Sequence, residues 1–177
     1  MTTSDGRALR YDVITSESSL VFEARSTLHA VHGKADGLTG YIERGAGVTD
    51  SIAGPPPPKM HVEFAVERLR SGNDLQDREM WKVVDSKRFP LVTADLRELE
   101  PGPSEGRYIA SGDVALAGRS RRYSGDLSFE DGGDRVIVQG ALNLDIRDFG
   151  LKPPEMLFLK VDPVVALRLR LVAARAA

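Results

Sequence analysis

The chain of 177 residues is long enough for one domain with a sizeable core, and 41% hydrophobic with 28% charged residues is typical of a soluble globular protein. The formal net charge of -2 provides no general attraction to nucleic acid or to an anionic membrane surface. The absence of cysteine excludes disulfides and cysteine-based metal sites. No apolar run reaches the ~18 residues of a membrane-spanning helix, so we expect no stable membrane insertion.

Residues 1–10 are polar and are predicted to form a loose N-terminus. They contain neither the basic nor the apolar segment of a secretory signal, so a cytoplasmic location is expected if Met1 is the natural start. A signal that had been removed and replaced by a methionine would leave the same sequence, so that alternative stays open.

Apolar and polar residues alternate along most of the chain, which is the period of β-strands with one buried face. The first strands are predicted at 11–14, 19–25, 38–43 and 60–67. Between the second and third of these, residues 26–35 lose the alternation, and one helical turn is predicted there.

Residues 45–59 contain four consecutive prolines, which lack N–H donors and favour an extended, solvated backbone. We predict a surface loop, because the strand alternation resumes directly after it. A ligand for SH3-type domains and a linker between domains are alternatives for such a segment. Since strands are predicted on both sides of it, residues 1–177 are interpreted as one domain.

One segment, at about residues 74–84, has the pattern of an amphipathic helix. Asn73 or Asp74 can cap its N-terminus by accepting the free N–H groups of the first turn. Its apolar stripe is predicted to consist of Leu75, Met80, Trp81, Val83 and Val84. Asp74, Asp77 and Glu79 could supply an acid–base pair, but on a helix start they are interpreted as partners of the helix dipole and of solvent.

Five further strands are predicted after the helix, at 91–99, 108–117, 123–129, 136–146 and 165–171. Gly118 and the hairpin sequence DGGD at 131–134 provide turns between neighbouring strands. With about eight strands and a single helix to cover their dry faces, the simplest all-β fold is a sheet closed on itself as a barrel. A β-sandwich is the alternative that strand spacing does not exclude.

The sequence contains no nucleophile elbow, phosphate-binding loop or dinucleotide fingerprint, so no catalytic residue is assigned. His29, His32 and His61 could form a metal-binding trio, but no carboxylate motif accompanies them. They are therefore interpreted as surface histidines, and no metal is expected.

Two small basic groups flank the predicted helix exit and the turn at Gly118. They consist of Lys82, Lys87 and Arg88, and of Arg119, Arg121 and Arg122. They are too small for nucleic-acid binding and lack interleaved aromatic residues, but they could clamp one phosphate or carboxylate.

Four segments of the chain, taken in order, resemble a known family. They are YDVITSESSLVFEAR with LHAVHGKADGLTGYIE, then LQDREMWKVVDSKRFPLVTADL, then YIASGDVALAGRSRRYSGDL, and finally IRDFGL. Their order and spacing, between about residues 11 and 171, are similar to those of the YceI-like family of polyisoprenoid-binding, lipocalin-like barrel proteins. The chain departs from the family in its tetraproline segment and in lacking the export signal that many relatives carry.

The resemblance implies an elongated, antiparallel up-and-down barrel that encloses an apolar channel for a polyisoprenoid or fatty-acyl chain. It implies lipid binding, carriage or storage, without catalytic residues and without a cofactor. The channel lining is predicted to include Phe22, Ile42, Phe64, Trp81, Phe89, Val114, Leu116, Phe129, Leu144, Phe149 and Leu167. Arg88 and Arg122 are predicted to pair with an anionic head group, because a guanidinium can donate two hydrogen bonds to a phosphate.

Two other functions stay open at this point. A small-molecule enzyme could use the barrel cavity, or a scaffold module could act through residues 45–59. A homodimer is compatible with each of these functions, and a nucleic-acid partner is not expected.

Overall fold

The computed structural model describes residues 8–44, 57–153, 155–156 and 159–177. Most of the predicted loose N-terminus and most of the proline-rich loop lie outside the described residues. At the edges of these two segments, Leu9 and Arg10 already belong to the first strand, and Lys59 begins another.

The described chain contains twelve strands and one α-helix, joined by turns that include three short 3-10 segments. The strands are β1 (Leu9–Val13), β2 (Ser19–Ser26), β3 (Ala30–Ala35), β4 (Thr39–Arg44), β5 (Lys59–Ala65), β6 (Leu69–Arg70), β7 (Leu91–Pro101), β8 (Arg107–Leu116), β9 (Arg119–Asp131), β10 (Arg135–Asp145), β11 (Glu155–Met156) and β12 (Leu159–Arg175). The helix α1 spans Asp74–Val84, and the 3-10 segments span Thr15–Glu17, Val66–Arg68 and Ile146–Phe149.

The strands close into an eight-stranded antiparallel barrel. Six of the strands combine in consecutive pairs into three long, interrupted strands: β1 with β2, β3 with β4, and β5 with β6. Both members of each pair are hydrogen-bonded to the same neighbouring strand or strand pair. The barrel closes where β12 pairs with β1, in the register Tyr11 to Arg175, and with β2, in the register Leu20 to Leu169. The predicted all-β, up-and-down barrel is confirmed.

The prediction of a helical turn at 26–35 is wrong, since most of this segment is strand β3. The chain turns at Thr27 and Leu28, where the Ser26 N–H donates to the His29 carbonyl, and pairing with β2 then extends the backbone. The alternation of apolar and polar residues is interrupted at Gly33, because a Cβ there would lie 2.2 Å from the Phe22 ring and only glycine fits. An inward position without a side chain leaves no apolar signal in the sequence.

Helix α1 has the predicted bounds and the predicted cap. The Asn73 side chain accepts hydrogen bonds from the N–H groups of Leu75 and Gln76. Asp77 is buried rather than solvated, because its carboxylate accepts from the Ser71 N–H and hydroxyl at 2.7 and 2.8 Å. Leu75 was placed on the apolar stripe but is 61% exposed. No helix in the described part of the chain has both the length and the apolar character needed to cross a membrane.

The interior is filled at both ends of the barrel. One cluster, at the end where β1 meets β12, contains Tyr11, Leu38, Ile42, Val136, Val138 and Leu171. The second, beneath α1, contains Val66, Val84, Leu116, Leu144 and Phe149. The space that remains between these clusters forms the cavity described below.

Candidate functional site

An apolar cavity with a volume of about 350 Å³ lies inside the barrel. This volume is at the lower end of the range of ligand pockets, roughly 300–1,000 Å³, and suits one chain better than a bulky ring system. Its wall includes Leu38 and Leu127 from the first cluster and Val84 and Leu144 from the second, so it connects the two packed ends.

Small residues on adjacent strands make this space. Ala94, Ala110, Gly112 and Gly125 line the cavity from β7, β8 and β9. A Cβ on Gly112 would lie 2.5 Å from the Asp95 carbonyl oxygen, and one on Gly125 would lie 2.5 Å from that of Ala141. Larger residues at these glycines would therefore displace a neighbouring strand.

The predicted lining residues divide into two groups. Those on the cavity wall are Phe22, Phe64, Val114, Leu116, Leu144 and Leu167. Those that are not on it are Ile42, Trp81, Phe89, Phe129 and Phe149. The ligand-binding role of all of them stays a prediction.

The large side chains that miss the cavity pack the ends of the barrel instead. Ile42 is fully buried in the first cluster, and Phe129 packs edge-to-face on Tyr108 with ring centroids 5.8 Å apart. Phe149, 1% exposed, stacks on Tyr123 at 5.9 Å. These side chains seal the interior against solvent rather than lining the cavity.

Two aromatic residues, one in α1 and one just after it, are held by local contacts. The Trp81 indole N–H donates to the Leu69 carbonyl at 3.1 Å, and the Arg70 guanidinium lies 4.9 Å from the Trp81 ring centroid. Phe89 packs on the turn at Gly118, where a Cβ would lie 2.6 Å from its ring. Both residues fix α1 and its exit to the barrel.

Neither arginine predicted to bind a head group lies on the cavity wall. The Arg122 Nε donates to the Asp113 carboxylate at 2.8 Å, and the Arg97 Nε donates to the same carboxylate at 2.7 Å. Hydrogen bonds from Arg122 and then Arg97 lower the pKa of Asp113, so this carboxylate stays ionised between them. Arg88 lies over the Phe89 ring at 5.3 Å. The structure therefore does not bring Arg88 or Arg122 together with the cavity.

Two cavity-facing polar residues of α1 were not predicted. Gln76 and Glu79 line the cavity together with Met80 and Val83. Both are half-buried, and neither side chain has a hydrogen bond or ion pair with another described residue. Counted from Gln76, the other three wall residues of α1 follow at three, four and seven positions, as residues on one helix face do. The sequence therefore did contain a signal for Gln76 and Glu79.

The Tyr123 phenol also lies on the cavity wall but already has partners. Its hydroxyl donates to the Asp148 carboxylate in the 3-10 segment Ile146–Phe149 and accepts the Asp145 N–H at 3.3 Å from the residue before that segment. Burial, together with the hydrogen bond to Asp148, raises the pKa of Tyr123 to about 12. Tyr123 is therefore a neutral, fixed part of the wall.

A histidine network lies on the outer face of the barrel. The His61 Nδ1 is 2.7 Å from an Asp95 carboxylate oxygen, and its Nε2 is 3.2 Å from Glu63. Burial lowers the pKa of His61, but the hydrogen bonds to Asp95 and Glu63 outweigh it and raise the pKa overall. No group of three or more His, Asp or Glu residues within the described ranges is placed to hold a metal ion.

Comparison with known proteins gives one family. The YceI-like domain matches residues 11–173. The fold is similar to that of Burkholderia cenocepacia BcnA, with a TM-score of 0.76 and 13% identity over 92% of this chain and 99% of that one. It is also similar to that of a polyisoprenoid binding domain from Saccharophagus degradans implicated in plant cell wall breakdown. The TM-score is 0.70, with 16% identity over 95% of this chain and 99% of that one.

A third similar structure is the Campylobacter jejuni YceI protein, with a TM-score of 0.64 and 16% identity over 83% of this chain and 85% of that one. No curated protein matches the chain. At these identities the likeness to solved structures shows the fold, while the domain match extends over nearly the whole barrel. The chain belongs to the YceI-like family.

Proposed function

We propose that the barrel binds one long apolar chain, of the polyisoprenoid or fatty-acyl type, inside its cavity and carries or stores it. The observation that carries this proposal is the apolar cavity of about 350 Å³ that runs between the two packed ends of the barrel. The polyisoprenoid binding domain among the similar structures supports an isoprenoid as the first ligand class to test.

The energetics of such a site favour a flexible hydrocarbon. Each methylene group moved from water into the cavity contributes about 0.8 kcal/mol, and the small inward residues leave room for a chain without rearrangement of the strands. The cavity wall provides side chains such as Leu127, Val114 and Leu167, which can contact such a chain but cannot form directional bonds with it. Affinity is therefore expected to increase with chain length until the cavity is full.

Binding rather than catalysis is part of the proposal. A general base needs a proton donor or nucleophile within hydrogen-bond reach. The Tyr123 hydroxyl is occupied by Asp148, and Glu79 has no histidine, lysine or second carboxylate bonded to it within the described chain. The cavity thus provides an apolar surface without an assembled acid–base pair.

Mass spectrometry of an organic extract of the purified protein tests the proposal. We expect one class of long-chain lipid, at about one molecule per protein chain, together with affinities for added isoprenoid alcohols that increase with chain length. Absence of any bound chain, combined with affinities that do not depend on chain length, would contradict the proposal.

A further inference from the structure

The cavity-facing side of α1 is polar at one end. Met80 and Val83 present apolar atoms to the cavity, whereas Gln76 and Glu79, one turn earlier, present an amide and a carboxylate. Helix positions separated by three or four residues lie on one face, so these four side chains form a single surface. Its polar end meets solvent, because Gln76 and Glu79 are half-buried rather than enclosed.

The charges that face this region are acidic. Besides Glu79, the cavity wall includes two exposed carboxylates, those of Asp126 and Asp162, and the Asp162 carboxylate accepts the Val164 N–H at 2.9 Å. Asp95 and Asp113 also contribute to the wall, but their carboxylates are paired with His61 and with arginines outside the cavity. No lysine, arginine or histidine is among the described residues that line the cavity.

Two lysines close to the cavity belong to a different recess. Lys152 and Lys160 line a neighbouring surface depression that shares only Val161 with the cavity. A lipid whose tail fills the cavity would place its polar end first against Glu79 and Gln76. A phosphate there would face a carboxylate, and none of the described residues on the cavity wall is a cation that could pair with it, which is unfavourable in a partly desolvated site.

We infer that the cavity selects a long-chain lipid whose polar end donates a hydrogen bond and carries no negative charge, with the Glu79 carboxylate as its acceptor. The inference rests on the proposed function and adds the chemistry of the head group. An ionised carboxylate only accepts hydrogen bonds, so it fits a hydroxyl or an ammonium group. Gln76 can accept from or donate to the same group, which suits an alcohol or an amine.

Three ligands with the same isoprenoid chain test the inference: the alcohol, the primary amine and the monophosphate. The wild-type protein is expected to bind the alcohol and the amine about tenfold more tightly than the monophosphate. A difference of this size is expected for one charge-assisted hydrogen bond. Glu79→Gln should weaken the amine about tenfold and the alcohol less, because the new amide still accepts a hydrogen bond. Glu79→Lys should reverse the order and favour the monophosphate.

The matched control is Glu67→Gln. Glu67 lies on the 3-10 segment Val66–Arg68, is exposed and does not line the cavity. This variant changes the net charge by the same amount and should leave all three affinities unchanged. An equal effect of Glu67→Gln and Glu79→Gln would assign the preference to the overall charge and overturn the inference.

A fourth ligand, the parent hydrocarbon without a polar end, separates this inference from the proposed function. If neither the hydrocarbon nor the alcohol binds, the lipid-binding proposal itself fails. If the hydrocarbon binds and the monophosphate is the tightest ligand, the head-group inference alone is wrong. Weakening of that monophosphate by Lys152→Gln or Lys160→Gln would then place its phosphate in the neighbouring recess.

Discussion

Ala94 offers the sharpest test of where the ligand lies. It lines the cavity from the middle of β7, opposite Val62 on β5 and Val114 on β8. Replacing it by leucine places additional carbon atoms in the empty space instead of against a packed neighbour. The outward-facing Ala166 of β12 is exposed and does not line the cavity, so Ala166→Leu is the matched control.

The expected loss follows from the chain that the new side chain displaces. Leucine has three more carbons than alanine, and if these expel about three methylene groups of ligand, binding weakens by about 2.4 kcal/mol, or roughly 50-fold in Kd. The free energy of unfolding of the ligand-free protein should not fall, because the added carbons fill space rather than create strain. Loss of affinity without loss of stability distinguishes displacement from damage to the fold.

Titration of a fluorescent isoprenoid analogue, together with urea unfolding of the ligand-free protein, measures both quantities. Ala94→Leu is expected to bind more weakly and to unfold at the same or higher urea concentration, while Ala166→Leu binds as the wild type does. Unchanged affinity in a folded Ala94→Leu protein would show that the ligand does not occupy the barrel interior, and the cavity argument would be wrong.

Three further predictions follow from contacts described above. Phe149→Ala should lower the free energy of unfolding by about 3–5 kcal/mol in urea titrations, because a fully buried ring is removed; a loss below about 1 kcal/mol would contradict its packing role. Because the pKa of His61 is raised in the folded protein, its pairing with Asp95 stabilises the fold fully below about pH 6.5. This stabilisation is lost as the pH rises through the folded-state pKa. His61→Gln should remove that dependence, and an identical pH profile in both proteins would refute it. Arg88→Gln and Arg122→Gln should leave affinity for isoprenoid alcohol and isoprenoid monophosphate within about twofold by calorimetry, since neither residue lines the cavity; a selective loss for the monophosphate would restore their predicted head-group role.

The barrel and the helix were predictable because their signals are local. Strict alternation, such as Leu142 and Leu144 against Asn143, indicates a sheet with one dry face, and Asn73 with its acidic first turn indicates where the helix begins. Both features depend on near neighbours in the chain, so the sequence alone contains them. The strand at Gly33 was missed because the inward side chain there is absent in order to make room for Phe22.

The site was less predictable because it is empty space. Large apolar residues such as Trp81, Phe89 and Phe149 were assigned to the cavity, but large side chains fill volume: Phe149 packs an end of the barrel, and Trp81 and Phe89 fix α1 and its exit. The wall of a cavity is better indicated by glycine and alanine at inward positions. Glu79 was assigned to solvent because amphipathic patterning assumes that the apolar stripe faces a packed core, and α1 instead borders a cavity.

The closure of β12 against β1 and β2 has a consequence for folding. The register Tyr11 to Arg175 joins positions from opposite ends of the described chain, so the ring cannot be completed until β12 has been synthesised. Until then the outer edges of β2 and β10 have no partner, and unpaired strand edges promote association between chains. Contacts of such long sequence separation also slow folding. A nascent chain of this protein should therefore be most prone to aggregation in the interval before its last strand is released.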